Sequence, residues 1–340
     1  MPGPARSFCA CVLAGLLASG AGLAADVQSQ GHLSGALEPG SAIAPRPDGS
    51  EVDAFLGLWR SARIAQVIPD HARVCLPSAG GSLATDAQRT IAASVAVMAQ
   101  SPLGAWLINE AARRLVLICH DPNTDLAAYY RSQMRLIGLF ERLPDPAKIM
   151  FLAHELAHVP QHPRFSNDLR FGAHAVLVVH RMREASAEAV ATRVLWQLRA
   201  RGHAEPWQYK LASAYADIAH AFARAMAAPG QARELRATRA AFDQWFGRPG
   251  RVHSYDARII GYLARTGTGR PSLVHPSRTL TESFLSDIGW YGGETFLSRS
   301  TGPALTDPYY AHGLSPANAA RLDAILQHAM LPPAPTTSRR

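Results

Sequence analysis

The stretch His154-Glu155-Leu156-Ala157-His158 holds two imidazoles four residues apart with a carboxylate between them. Residues four apart share one face of a helix, so His154 and His158 can aim two ring nitrogens at a single metal ion. Glu155 sits about 100° round the helix. It is placed to take a proton from a metal-activated water rather than to ligate. Two ligands and one base are what the pattern H-E-x-x-H supplies to zinc-dependent hydrolysis. With 14 histidines and 11 glutamates among 340 residues, chance supplies roughly 0.02 such matches.

A catalytic zinc needs a third protein ligand and one open position. Glu184, within Arg183-Glu-Ala-Ser-Ala-Glu-Ala189, follows His158 on the next long helical stretch. Glu188 lies one turn further along the same face. The small residues Ala185, Ser186, Ala187, Ala189 and Ala191 would let two helices approach closely enough for short metal bonds. Glu184 is the preferred ligand and Glu188 the alternative. The other role open to Glu188 is to accept a hydrogen bond from a ligand histidine. His162 and His180 are nearby histidines that could line the site, but surface or packing roles account for them equally well.

These residues need elements to position them. Asp86 to Gln100 and Pro102 to Arg113 have helical spacing, and Arg114 to His120 reads as a buried strand ended by Asp121-Pro122. Tyr130 to Phe140 is expected to form a second strand. The motif helix is expected to open at Asp145, with Asp145 as its cap and Pro146 in its first turn, and to stop at Pro160. A long helix from about Leu169 to Arg201 should end at Gly202. Helices follow over Pro206 to Ala227, Ala232 to Phe246, Ser254 to Arg265 and Ser315 to Met330, with a loop-rich segment from Gly267 to Leu314.

The first residues carry Arg6, an apolar run from Phe8 to Leu17 and small residues at Gly22 to Ala25, the pattern of a secretory signal peptide. No later stretch reaches the apolar length of a membrane helix. The expected organisation is a signal peptide at 1–25, a flexible leader at 26–50, a metallopeptidase domain at 51–202, a helical C-terminal region at 203–330 and a disordered tail at 331–340. The Ala- and Arg-rich chain is expected to be bacterial and exported, to the periplasm or beyond. Two cysteines remain after cleavage, Cys75 and Cys119, and an even pair in an oxidising compartment predicts a disulfide. The net charge is +8, and Lys148 and Lys210 are the only lysines. The arginines are scattered, with no basic run interleaved with aromatics, which argues against a nucleic-acid partner. Weak attraction to an anionic cell envelope is the expectation.

With "HELAH" at 154–158 and "REASAEA" at 183–189, the chain resembles gluzincin-type zinc metallopeptidases. Over about residues 85 to 200 it is similar to bacterial metallopeptidase domains of unassigned function. The resemblance implies an α+β, zincin-like fold: a small β-sheet and an H-E-x-x-H active-site helix, followed here by a mostly helical region. It implies one Zn²⁺ per chain held by His154, His158 and Glu184, with Glu155 as general base and a peptide or protein as substrate. Many relatives carry Asp or Asn two residues after the ligand glutamate, where this chain has Ser186. Glu188 can take over the supporting role. A later Tyr or His commonly stabilises the oxyanion, which by residue type points to Tyr309, Tyr310 or His312. The strand before the motif helix, Tyr130 to Phe140, would offer its edge to an extended substrate. Two competing readings are a zinc hydrolase of non-peptide envelope material and a non-catalytic, zinc-stabilised binding protein. The second would show a closed four-ligand shell, with His162 or His180 as the fourth ligand.

Overall fold

Local chemistry starts the helices at predictable places. Thr85 accepts the Gln88 backbone N–H while the Gln88 side chain accepts the Thr85 N–H, a capping box that opens α1 (Asp86–Met98). Ser101 caps α2 (Pro102–Arg113), with Pro102 in its first turn. In the first turn of α2 a Cβ on Gly104 would run into the Met98 carbonyl oxygen, so glycine there lets α2 start close against the end of α1. The computed structural model describes residues 64–76, 82–162, 169–267, 269–297, 307–311 and 313–330. The expected signal peptide, leader and tail, and His312, lie outside them.

A three-stranded sheet follows, in the order β1 (Leu117–Asp121), β3 (Leu136–Phe140), β2 (Ala128–Arg131). β1 runs parallel to β3, from Leu117↔Leu136 to Asp121↔Phe140, and β2 is antiparallel to β3. The single strand expected over Tyr130 to Phe140 is thus two strands. A 3₁₀ turn at Ser132–Met134 and Arg135 in the left-handed region (φ 49°) fold the chain back on itself. β3 lies in the centre, buried along four of its five residues, so it has no edge to offer a substrate. β2 does lie at an edge. The Tyr129 ring lies across Gly138, its partner in the ladder, and a Cβ on Gly138 would meet that ring at 2.3 Å. Cys75 forms a disulfide with Cys119 and a bridge to β1.

α3 (Asp145–Gln161) carries the motif. Its cap is Pro144 rather than Asp145, which forms the first turn. The helix also passes through Pro160 to Gln161, although a stop before Pro160 was expected. A proline in the last turn costs one N–H donor, and the next turn still closes through His162 N to His158 O at 3.1 Å. α4 (Ala173–Ala200) starts after Gly172 (φ 83°), and Gly202 (φ 94°) follows its end.

The helix expected over Pro206 to Ala227 is broken into α5 (Glu205–Leu211) and α6 (Ala216–Ala227). At the break Ser213 Oγ donates to Lys210 O and accepts from Tyr215 N. α7 (Arg233–Phe246), α8 (Pro249–Thr266) and α9 (Pro316–Ala329) complete the helical layer. In the loop-rich segment a hairpin pairs β4 (Trp290–Tyr291) with β5 (Glu294–Thr295) around Gly292 and Gly293, both at positive φ.

The architecture is α+β, mostly helical, with small sheets. α4 is its axis, packed against α3, α5, α7 and α8. One hydrophobic cluster runs from Ile91 on α1 to Ala329 on α9, through Ala153 and Ala157 of α3 and Ala185, Ala187 and Ala189 of α4. These alanines are fully buried, which lets α3 and α4 approach closely. Among the described residues no helix is long and apolar enough to cross a membrane.

Candidate metal centre

His154 and His158 project from one face of α3 towards α4, which presents Glu184. The two Nε2 atoms stand 3.2 Å apart. Glu184 brings Oε2 to 3.5 Å from His154 Nε2 and Oε1 to 3.7 Å from His158 Nε2. Among the described residues, these three are the His, Cys, Asp and Glu side chains that gather closely enough to hold a metal ion. Two nitrogens bound at about 2.0–2.1 Å to one tetrahedral ion would lie about 3.3 Å apart. The donor set fits a metal in both chemistry and spacing.

The far nitrogens of both imidazoles are tied down. His154 Nδ1 meets Glu188 Oε2 at 3.1 Å, and His158 Nδ1 meets Gln161 Oε1 at 2.8 Å. Glu188 therefore lies behind His154, on the side away from the converging nitrogens, and it is paired in turn with the fully buried Lys210 of α5. The Ser186 hydroxyl is engaged away from both histidines. It donates to Ile288 O at 3.0 Å and lies 3.3 Å from the Tyr291 hydroxyl.

The electrostatics follow from burial opposed by partners. Burial pulls His154 towards neutrality, but hydrogen bonds to Glu184 and Glu188 outweigh it and lift its pKa to about 10. Burial opposes ionisation of Glu184, yet the neighbouring His158 and His154 hold it well below the usual carboxylate range. Glu188 is held down to about 2, with Lys210 the largest cause acting against burial. Glu155 goes the other way: burial raises its pKa against the pull of His154 and His158. A carboxylate with raised proton affinity beside the donor cluster is chemically suited to accept a proton.

The other expected participants are placed as follows. His180 brings Nδ1 to 4.0 Å from Glu184 Oε1, its ring lies 6.3 Å from that of Tyr255, and burial lowers its pKa to about 4. His162 packs edge-on against Tyr130, with ring centres 6.4 Å apart. The Tyr309 and Tyr310 hydroxyls are bonded to Asp243 on α7 at 2.6 and 2.8 Å, and Arg239 donates to Tyr310 at 2.7 Å. The structure therefore engages both tyrosines on α7 and not among the motif residues.

Sequence reasoning missed Gln161, Lys210, Tyr291 and Tyr255. Gln161 could have been found three residues after His158, on its face. Lys210 is one of two lysines and sits between Tyr209 and Leu211, close to Trp207. Tyr255 is buried, its hydroxyl 3.1 Å from that of Tyr215, and it feels the charge of Glu184. No local pattern marks Tyr255 or Tyr291, because only the tertiary fold brings them to the motif.

No curated protein and no solved structure matches the chain. One family model does, across residues 69–295, which takes in the strands, the motif helix, Glu184, Lys210 and the β4–β5 hairpin. On that match the chain belongs to the family described as "Putative metallopeptidase family (DUF6782)".

Proposed function

We propose that this is an exported zinc metallopeptidase of the gluzincin type. The observation that carries the reading is the convergence of His154, His158 and Glu184 as three donors, with Glu155 beside them. Three protein ligands leave a fourth position open, the arrangement of a catalytic rather than a structural zinc. When bound, zinc supplies a Lewis acid that brings the pKa of a water towards about 7.

The chain's own residues do the rest. His154 and His158 offer Nε2 while Glu188 and Gln161 hold their Nδ1 atoms. Glu184 contributes negative charge. Glu155 takes the proton of the attacking water and can return it to the leaving amine. Membership of the family supports a peptide as substrate. The Cys75–Cys119 disulfide supports an oxidising compartment, in keeping with the signal-like N-terminus.

Zinc content and cleavage of a peptide library, measured on wild type and two variants, test the reading. Wild type is expected to hold about one zinc per chain. Glu155→Gln should keep that zinc and lose roughly 10²–10⁴ in rate, the worth of a general base. Glu184→Ala should lose zinc affinity and activity together. Unimpaired cleavage by Glu155→Gln, or normal zinc retention by Glu184→Ala, would overturn the assignment.

A further inference from the structure

We propose that Gln161, braced by Tyr291 of the β4–β5 hairpin, is a positioning residue that fixes the tautomer of His158. The proposal rests on the metal-binding reading above. Gln161 lies in the last turn of α3, beyond the motif, and is 2 % exposed. Its Oε1 is 2.8 Å from His158 Nδ1. Its Nε2 is 3.1 Å from the Arg183 backbone carbonyl and 2.7 Å from the Tyr291 hydroxyl.

An amide can be placed either way round, and its partners decide. The Arg183 carbonyl can only accept. If the amide were reversed, two oxygens would face each other there with no proton between them. Nε2 must therefore point at Arg183, giving its two hydrogens to that carbonyl and to Tyr291. Oε1 is then left facing His158. Oε1 can only accept, so the proton of His158 sits on Nδ1, and the Nε2 lone pair faces the donor cluster.

The chain of constraint extends one step further. The Tyr291 hydroxyl accepts from Gln161 and gives its own proton to the Ala157 carbonyl at 3.2 Å, one residue before His158. A residue 130 positions away thus holds both the side chain that orients His158 and the backbone beside it. His154 has the corresponding support in Glu188, which is backed by Lys210. Both imidazoles are therefore oriented by residues that each have one anchor beyond α4, Tyr291 for Gln161 and Lys210 for Glu188.

Long-range ¹H–¹⁵N spectra of the full chain after chelation, with His158 assigned by its loss in His158→Gln, read the tautomer directly. Wild type should show the proton on Nδ1. In Gln161→Leu that preference should disappear, and zinc affinity measured by chelator competition should fall about 10–100-fold. Gln161→Glu keeps an acceptor for Nδ1–H, and as the neutral acid its O–H can replace Nε2 towards the Arg183 carbonyl, so it should retain the Nδ1–H tautomer, a contrast that a merely space-filling role would not produce. A proton on Nε2 in wild type overturns the proposal. So does wild-type tautomer and zinc affinity in Gln161→Leu. The wild-type spectrum decides even if the leucine variant does not fold. Because it is recorded without metal, its outcome is separate from wild-type zinc uptake, which tests the earlier reading.

Discussion

At the scale of single residues, charge and proton placement govern the molecule. Lys210 is fully buried and neutralises Glu188, which in turn holds His154. Lys210→Met keeps most of the side-chain volume but leaves a buried carboxylate without its cation. It should cost about 3–5 kcal/mol, read from the shift in a denaturant midpoint. His120, at the end of β1, offers a pH test away from the proposed metal. Its Nε2 is buried with no hydrogen-bond partner among the described residues, and burial followed by Lys148 lowers its pKa to about 4 from an ordinary 6.5. Between these values the unfolded chain binds a proton that the folded chain refuses, so stability rises with pH across that window. The contribution is complete above 6.5 and is lost progressively as pH falls towards 4. Stability measured from pH 4 to 7 should therefore vary less in His120→Asn than in wild type.

At the scale of elements, the motif was legible because its spacing is itself a statement about helix geometry. His154, Glu155 and His158 needed only 3.6 residues per turn to be read together, and Glu184 only one further helix with a small-residue face. The helix starts at Asp86 and Pro102 were readable from helical spacing for the same local reason. The misread elements are those whose limits depend on distant partners. Pro160 was taken as a stop, yet Gln161 beyond it is held in the helix by Arg183 and Tyr291. The turn at Arg135, which separates β2 from β3, lies in Arg131-Ser-Gln-Met-Arg135, where no glycine or proline announces it. Tyr309 and Tyr310 were chosen by residue type, and the structure engages them on Asp243. The disulfide gives a prediction at this scale. It joins Cys75 to β1 across 44 residues of sequence. On the chain-entropy account its loss should cost about 4 kcal/mol. In Cys75→Ala/Cys119→Ala the urea midpoint should fall accordingly while zinc uptake persists, because neither cysteine touches the donor cluster.

For the whole molecule, the division expected after residue 202 meets a continuous core. α4 packs against α3 on one side and against α5, α7 and α8 on others. Arg181 of α4 forms a buried two-point ion pair with Asp256 of α8, both contacts at 2.7 Å. A chain ending at 202 would lose Lys210, Asp256 and Tyr291 together and expose the apolar side of α4. It is expected to show no cooperative thermal transition and no stoichiometric metal uptake. A folded, metal-binding fragment would establish the N-terminal part as an independent unit.

The bond from Gln161 to Tyr291 also sets an order in time. The two partners are 130 residues apart, so a ribosome working at about 5–20 residues per second needs roughly 7–26 s to deliver the second after the first. Through that interval His158 exists without the brace that orients it, and until residue 210 emerges His154 lacks Lys210 behind Glu188. The nascent chain thus carries its hydrolytic motif in an unassembled form. On the proposed reading, competence would arrive only after Tyr291 has been made, so cleavage by a half-made chain would be avoided.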